Sequence, residues 1–189
     1  MSAPRVIGIA GWSGSGKTTL ITKLIPLLVG RGLKVATVKH AHHSFEVDQP
    51  GKDSYAMREA GAAEVIVSSA RRWVQMHELG AETEATLAEL LGRVTPCDLV
   101  LIEGYKTQRH PKLEVYRRAV GMPPLHLSDR RVVGVAADQP FPGAAIPVLD
   151  LNNIPAIAGL VYARAEPLAA VLAALEAAAH SAAGEPGKR

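Results

Sequence analysis

A glycine-rich stretch near the start of the chain, Gly11-Trp12-Ser13-Gly14-Ser15-Gly16-Lys17-Thr18, satisfies the pattern G-x-x-x-x-G-K-[ST] at every fixed position. Such a loop works only between a strand and a helix, because its backbone N–H groups must converge on phosphate oxygens while the helix start adds partial positive charge. Both neighbours are legible. Arg5 to Ala10 is a short apolar run with the character of a buried strand, and Leu20, Ile21, Leu24, Ile25 and Leu28 recur at helical spacing up to Gly30 and Gly32, with Pro26 predicting a kink. The stretch therefore predicts a nucleoside triphosphate site. Gly11, Ser13, Gly14, Ser15 and Gly16 line the phosphates in this reading, and Lys17 reaches the β- and γ-phosphates. Thr18 places its hydroxyl on Mg²⁺, and Thr19 offers a second hydroxyl to a phosphate. Trp12 has two readings, beside the nucleotide or over the core, and the sequence does not choose between them.

A second run bears on the same chemistry. Asp98-Leu99-Val100-Leu101-Ile102-Glu103-Gly104 has the form of a Walker B strand, whose terminal acid holds Mg²⁺ directly or through water, here with Glu103 in place of the usual Asp. Thr18 and Glu103 are thus the expected metal ligands. After it come Lys106, Arg109, His110 and Lys112, which read either as a solvated basic loop or as a phosphate-binding cluster. A further candidate element follows the strand Leu33 to Val38. There Lys39-His40-Ala41-His42-His43, then Phe45, Asp48 and Pro50-Gly51-Lys52-Asp53-Ser54, form a polar, turn-rich loop at the C-terminal end of a parallel strand, where open α/β sheets bind ligands. Lys39, His40, His42, His43, Asp48, Lys52, Asp53 and Lys106 are the candidate substrate contacts; no catalytic residue is assigned.

The remaining pattern alternates strands with helices. Asp53 or Ser54 caps a short helix ending at Gly61, and Glu64 to Val67 with Arg72 to Glu78 read as an antiparallel pair. A helix spans about Glu84 to Arg93. The alternation in Lys112, Leu113, Glu114, Val115 and Tyr116 predicts a half-exposed antiparallel strand, whereas Val132 to Ala137 is a continuous apolar run, hence a central parallel strand ending at Asp138. Asp138 there can accept guanine N1–H and N2–H₂, a pairing adenine lacks. Ile146 to Leu149 is the last strand, Asn153 caps the next helix, and Leu168, Val171, Leu172 and Leu175 mark the terminal one. The pattern predicts a three-layer α/β P-loop NTPase fold, mostly parallel with antiparallel additions.

Composition narrows the class. At 189 residues and 48% hydrophobic content the chain supports one core, so a single nucleotide-binding domain over residues 1–183 and a flexible polar tail over 184–189 are expected. The one cysteine, Cys97, excludes an internal disulfide, and with no charged-then-apolar leader and no membrane-length apolar run a cytoplasmic chain is expected, with no membrane partner. A net charge of +3 with only 4% aromatics supplies no base-stacking platform, so small anionic ligands are expected and nucleic acid is not.

The phosphate loop with Thr19 and Leu20, the Lys39–His43 and Asp48–Tyr55 blocks, Ala60-Gly61-Ala62 and Val100-Leu101-Ile102-Glu103-Gly104-Tyr105-Lys106 together resemble the molybdopterin-guanine dinucleotide biosynthesis protein B family over nearly the whole chain. The resemblance implies a GTP-binding protein with weak GTPase activity, similar in fold to the dethiobiotin synthetase and nitrogenase iron-protein group. It implies a homodimeric adapter that assists attachment of GMP to molybdopterin, with the molybdenum cofactor nucleotidyltransferase and molybdopterin or its guanine dinucleotide as partners. Many members of that wider group carry an extra lysine early in the loop, where this chain has Trp12. Two rival classes stand beside this reading: a P-loop kinase or ligase acting on a small acid gripped by Lys39 and the histidines, and metal storage by His40, His42 and His43. The apolar residues of Arg72–Glu78 and Lys112–Arg117 read as sheet edges and predict a homodimer built on them, its groove lined by the Lys39–Ser54 loop and by Lys106, Arg109 and His110.

Overall fold

The computed structural model describes residues 3–41 and 45–183. In chain order the elements are β1 (Arg5–Ala10), α1 (Lys17–Gly30), β2 (Val35–Lys39), α2 (Asp53–Glu59), β3 (Glu64–Ser68), β4 (Trp73–His77), α3 (Leu87–Gly92), β5 (Leu99–Glu103), β6 (Lys112–Tyr116), β7 (Val132–Ala137), β8 (Val148–Asp150), α4 (Ile154–Arg164), β9 (Glu166–Pro167) and α5 (Leu168–Ala183). They sort into two compact units, one comprising Met1–His40 with Leu87–Arg189 and the other Ala41–Thr86.

The first unit holds a sheet of order β2-β5-β1-β6-β7-β8, parallel throughout, with β9 added antiparallel to β1. Because side chains alternate across a strand, Ile7, Ile9, Leu99 and Leu101 face one side and Val6, Val100 and Ile102 the other. The first side packs on Leu20, Leu24 and Leu28 of α1 and Ile157 and Val161 of α4; the second packs on Leu87 and Leu91 of α3 and Val171 and Leu175 of α5. The result is the three-layer α/β architecture that the alternating pattern predicts. α4 begins at its expected cap, with the Asn153 side chain accepting the Ala156 N–H at 3.2 Å. No helix among the described residues is long and apolar enough to cross a membrane.

β6 departs from its sequence pattern. It is an interior strand, parallel to β1 on one side and β7 on the other, and Lys112 and Glu114 are 1% and 0% exposed. The polar half of its alternation faces a buried layer covered by the segments just before and just after the strand. There the Lys112 Nζ donates to Gln108 O at 2.6 Å and to Asp129 Oδ2 at 2.9 Å, and Glu114 accepts from the Leu125 N–H, the His126 N–H and His126 Nδ1 at 2.6, 3.0 and 2.8 Å. His110 is buried in the same layer against Gly8, where a Cβ would stand only 2.4 Å from its Nε2, and burial pushes its imidazole down to about 3. The half-exposed antiparallel strand is therefore corrected to a buried parallel one, and a dimer surface on Lys112–Arg117, or a groove lined by His110, falls with it. Lys112 likewise leaves the expected basic cluster, because its charge is neutralised inside the fold.

The second unit contains α2 and the antiparallel hairpin of β3 and β4, in register from Glu64 opposite His77 to Ser68 opposite Trp73, as the sequence predicts. The start of α2 differs from expectation. Lys52 occupies the cap position without a side-chain bond, and the Ser54 hydroxyl donates instead to Asp48 Oδ1 at 3.0 Å.

Candidate functional site

β1 delivers the glycine-rich loop directly onto α1. Gly11 has φ 150°, and a Cβ there would meet Val115 O at 2.6 Å and Ser15 Oγ at 2.7 Å, so only glycine lets the loop turn this close to β6. Gly16, at φ 93°, caps α1 without offering a side-chain acceptor, and the first turn contains no acidic residue. The free N–H groups and the positive end of the helix are thus left for an anion. The Ser15 hydroxyl, 1% exposed, has no hydrogen-bond partner among the described residues. Lys17 folds back over the loop, its ammonium 3.0 Å from both Gly11 O and Trp12 O. Burial lowers its pKa, Glu103 opposes that shift, and the like charges of Lys106 and Lys39 reinforce it. Among the described residues the Lys17 hydrogen bonds go to these two carbonyls alone, so a polyphosphate can draw the ammonium out.

The neighbouring strand supplies the acid. β5 lies beside β1 with Ile9 opposite Glu103, which brings the carboxylate to the loop. Thr18 Oγ1 donates to Glu103 Oε1 at 2.6 Å, and the Lys39 ammonium lies 3.6 Å from the same oxygen. A hydroxyl and a carboxylate in mutual contact are hard oxygen donors of the type Mg²⁺ accepts alongside water and phosphate oxygens, so the two expected ligands fit the ion. Beyond Glu103 the backbone turns through Gly104 at φ 93° and Tyr105 at φ 49°, the one positive-φ non-glycine among the described residues. Strained residues of this kind concentrate at functional sites. The turn leads to Lys106, whose ammonium stands 3.9 Å from the centroid of the Trp12 ring. Trp12 itself is half-exposed and donates its indole N–H to Pro123 O at 2.8 Å, so it holds a lysine beside the loop rather than covering the core.

A second recess lies at the other end of the same sheet edge. Ala137, Asp138, Phe141, Leu149, Asp150 and Asn152 line a cleft of about 570 Å³ beyond the C-terminal ends of β7 and β8. Asp138 is exposed there, one carboxylate oxygen accepting the Arg118 N–H at 3.0 Å. Phe141 stacks edge-on against Tyr116 at 4.8 Å and gives the cleft an apolar wall.

Of the candidate substrate contacts, Lys39, His40 and Lys106 belong to this body, with the His40 ring 4.8 Å from that of Tyr105. Asp48, Lys52 and Asp53 belong to the second unit; Asp48 accepts from the Gln49 N–H at 2.9 Å and the Ser54 hydroxyl, and Lys52 and Asp53 are exposed. His42 and His43, with residues 184–189, lie outside the described residues. Sequence reasoning missed Arg117, whose Nε donates to Ser15 O at 3.1 Å. It also missed Glu114 as the anchor of the 125–126 backbone. In both contacts one partner is main chain, so the sequence carries no paired signal for them.

A parallel sheet whose central strand feeds a phosphate loop into a helix, with an acid from the adjacent strand on the loop's threonine, defines a P-loop NTPase fold. The chain belongs to the MobB family: the family model described as molybdopterin guanine dinucleotide synthesis protein B matches residues 6–138. The chain is 43% identical over 159 residues to the molybdopterin-guanine dinucleotide biosynthesis adapter protein of Escherichia coli K12, spanning 82% of this chain and 90% of that protein. It is 42% identical to the adapter protein of the same name from Haemophilus influenzae, with 82% and 86% covered. Among solved structures, a crystal structure of molybdopterin-guanine biosynthesis protein B superposes with a TM-score of 0.64 at 26% identity, over 84% of this chain and 97% of that one. Bacillus subtilis MobB, at 22% identity and TM-score 0.65 over 86% and 98%, shares the fold.

Proposed function

We propose that this chain is a GTP-binding adapter with slow GTPase activity in the biosynthesis of molybdopterin guanine dinucleotide, assisting the attachment of GMP to molybdopterin. The observation that carries the reading is the contact of Thr18 with Glu103 beside a phosphate loop whose lysine donates to the Gly11 and Trp12 carbonyls. The adapter names of relatives at 43% and 42% identity support the role. Lys17 leaves Gly11 O and Trp12 O for the β- and γ-phosphates, while the loop N–H groups and Thr19 bind the remaining oxygens. Thr18 and Glu103 would hold Mg²⁺, which when bound would neutralise charge on the polyphosphate. Lys106, steadied on the Trp12 ring, and Lys39 add positive charge at the outer side of the loop.

Asp138 supports guanine as the base. Among the described residues the Arg118 N–H is the one hydrogen-bond partner of its carboxylate, which can accept from N1–H and N2–H₂ together. Asp138→Asn is expected to reduce the preference for GTP over ATP by about tenfold or more in equilibrium titration, the scale of one lost charge-assisted hydrogen bond. A variant with the wild-type preference removes Asp138 from the site.

For assembly, the hairpin retains both of its edges, and Ile66 and Trp73 are 62% and 61% exposed. We place the homodimer contact on β4 and hold that the dimer presents its nucleotide to the nucleotidyltransferase. Sedimentation velocity tests both parts. A dimer at micromolar concentration that Trp73→Glu dissociates, and a larger species formed with the nucleotidyltransferase when GTP and Mg²⁺ are present, are the expected results. A monomer ends the first part, and no complex with or without GTP ends the second.

A further inference from the structure

Arg117 continues β6 beyond Tyr116 in an extended conformation, with φ −131° and ψ 127°. Leu113 and Val115, two residues apart on that strand, face α1 and α4, and the same alternation turns Arg117 toward the start of α1. Its Nε donates to Ser15 O at 3.1 Å, and the guanidinium lies along the bare Cα of Gly16, with Nη2 3.6 Å from where a Cβ would stand. Among the described residues neither Nη group has a hydrogen-bond partner and no carboxylate pairs with this arginine. A guanidinium at the positive end of a helix with no acid in the first turn is unfavourable until an anion arrives.

Topology says which anion. β6 lies between β1, which carries the phosphate loop, and β7, which ends at Asp138; Ala10 is opposite Glu114, and Tyr116 is opposite Ala137. Lys17, Thr18 and Glu103 gather on the β5 side of the loop, and the Asp138 cleft opens on the β7 side. β5 and β7 are three strand spacings apart, about 14 Å, with β1 and β6 and so Arg117 between them. The Arg118 N–H bonded to Asp138 Oδ1 at 3.0 Å fixes this junction to the cleft. We infer that Arg117 is a nucleotide-binding residue that grips the α-phosphate, joining the phosphate loop to the base cleft. The inference rests on the nucleotide site proposed above. Its planar fork matches two oxygens of one phosphate while Nε stays on the loop, a geometry lysine cannot reproduce.

The α-phosphate is common to GTP and GDP, and this sets the test. Titration calorimetry with Mg²⁺ is expected to show Arg117→Ala lowering affinity for GTP and GDP by the same factor, about tenfold or more, with Arg117→Lys recovering only part. Lys17→Ala, in contrast, loses more for GTP than for GDP. Should the alanine variant fail to fold, Arg117→Gln, which keeps a donor for Ser15 O without the charge, has the same expectation. Unchanged affinity for both nucleotides overturns the assignment, and a loss confined to GTP moves Arg117 to the γ-phosphate and overturns it as stated. If Lys17→Ala binds GTP as the wild type does, the nucleotide site itself fails, an outcome distinct from failure at Arg117 alone.

Discussion

Lys17→Ala is expected to lower GTP affinity by at least about a hundredfold while the chain stays folded. Each charge-assisted hydrogen bond to a phosphate contributes about 1.5–3 kcal/mol, and this ammonium is the cation nearest two phosphates, so the combined loss spans at least two powers of ten. The fold is insulated from the change. Among the described residues the ammonium donates only to the carbonyls of Gly11 and Trp12, near the start of α1, whereas the helix is held by Leu20, Leu24 and Leu28, buried in the core. Calorimetric titration with GTP and Mg²⁺, alongside circular dichroism, separates the two quantities. A folded variant that binds GTP with undiminished affinity would place the nucleotide elsewhere or nowhere.

The parts of the site that were legible in sequence are those in which residue type and spacing are dictated locally. A loop that must approach β6 within contact distance of Val115 O needs Gly11, and the lysine and threonine that follow must open a helix; eight consecutive residues hold the whole signal. Glu103 was legible because a buried parallel strand is uniformly apolar, so an acid at its end stands out. The hairpin of β3 and β4 followed from two β-rich runs too close in sequence to be joined by a crossover. β6 was misread for a tertiary reason. Alternation of polar and apolar residues ordinarily means one wet face, but here the polar face is covered by the residues just before and just after the strand, whose backbone groups and Asp129 satisfy Glu114 and Lys112. Arg117 was invisible because its bond to Ser15 O is to main chain 102 residues away in sequence. α2 failed in its cap because Asp48, five positions before Asp53, takes the Ser54 hydroxyl that the local pattern assigns to the helix.

Asp129→Ala is expected to destabilise the chain by about 3 kcal/mol at neutral pH, which for a chain of this size lowers the melting midpoint by roughly 6–12 °C. Lys112 is 1% exposed, and among the described residues the variant leaves its ammonium with only Gln108 O as a partner. The figure is at the low end for a broken buried pair because the Asp129 side chain retains 29% exposure and already shares the pair with water. Burial lowers the Lys112 pKa below its ordinary 10.5, and the Asp129 carboxylate opposes the shift. Without the carboxylate the folded-state pKa falls further. A base depressed in the folded state means that the unfolded chain binds more protons below about 10.5, so stability rises with pH up to that value. The penalty of Asp129→Ala relative to wild type is therefore expected to shrink between pH 7 and 10, as the unpaired lysine sheds its proton inside the fold. Adding Lys112→Met is expected to recover most of the loss, since an apolar side chain of similar length needs no counter-ion between β1 and β7. Urea denaturation at pH 7 and pH 10 measures all three. A cost below about 1 kcal/mol for Asp129→Ala, or a penalty that grows with pH, would show that the Lys112 charge is solvated rather than held by the pair.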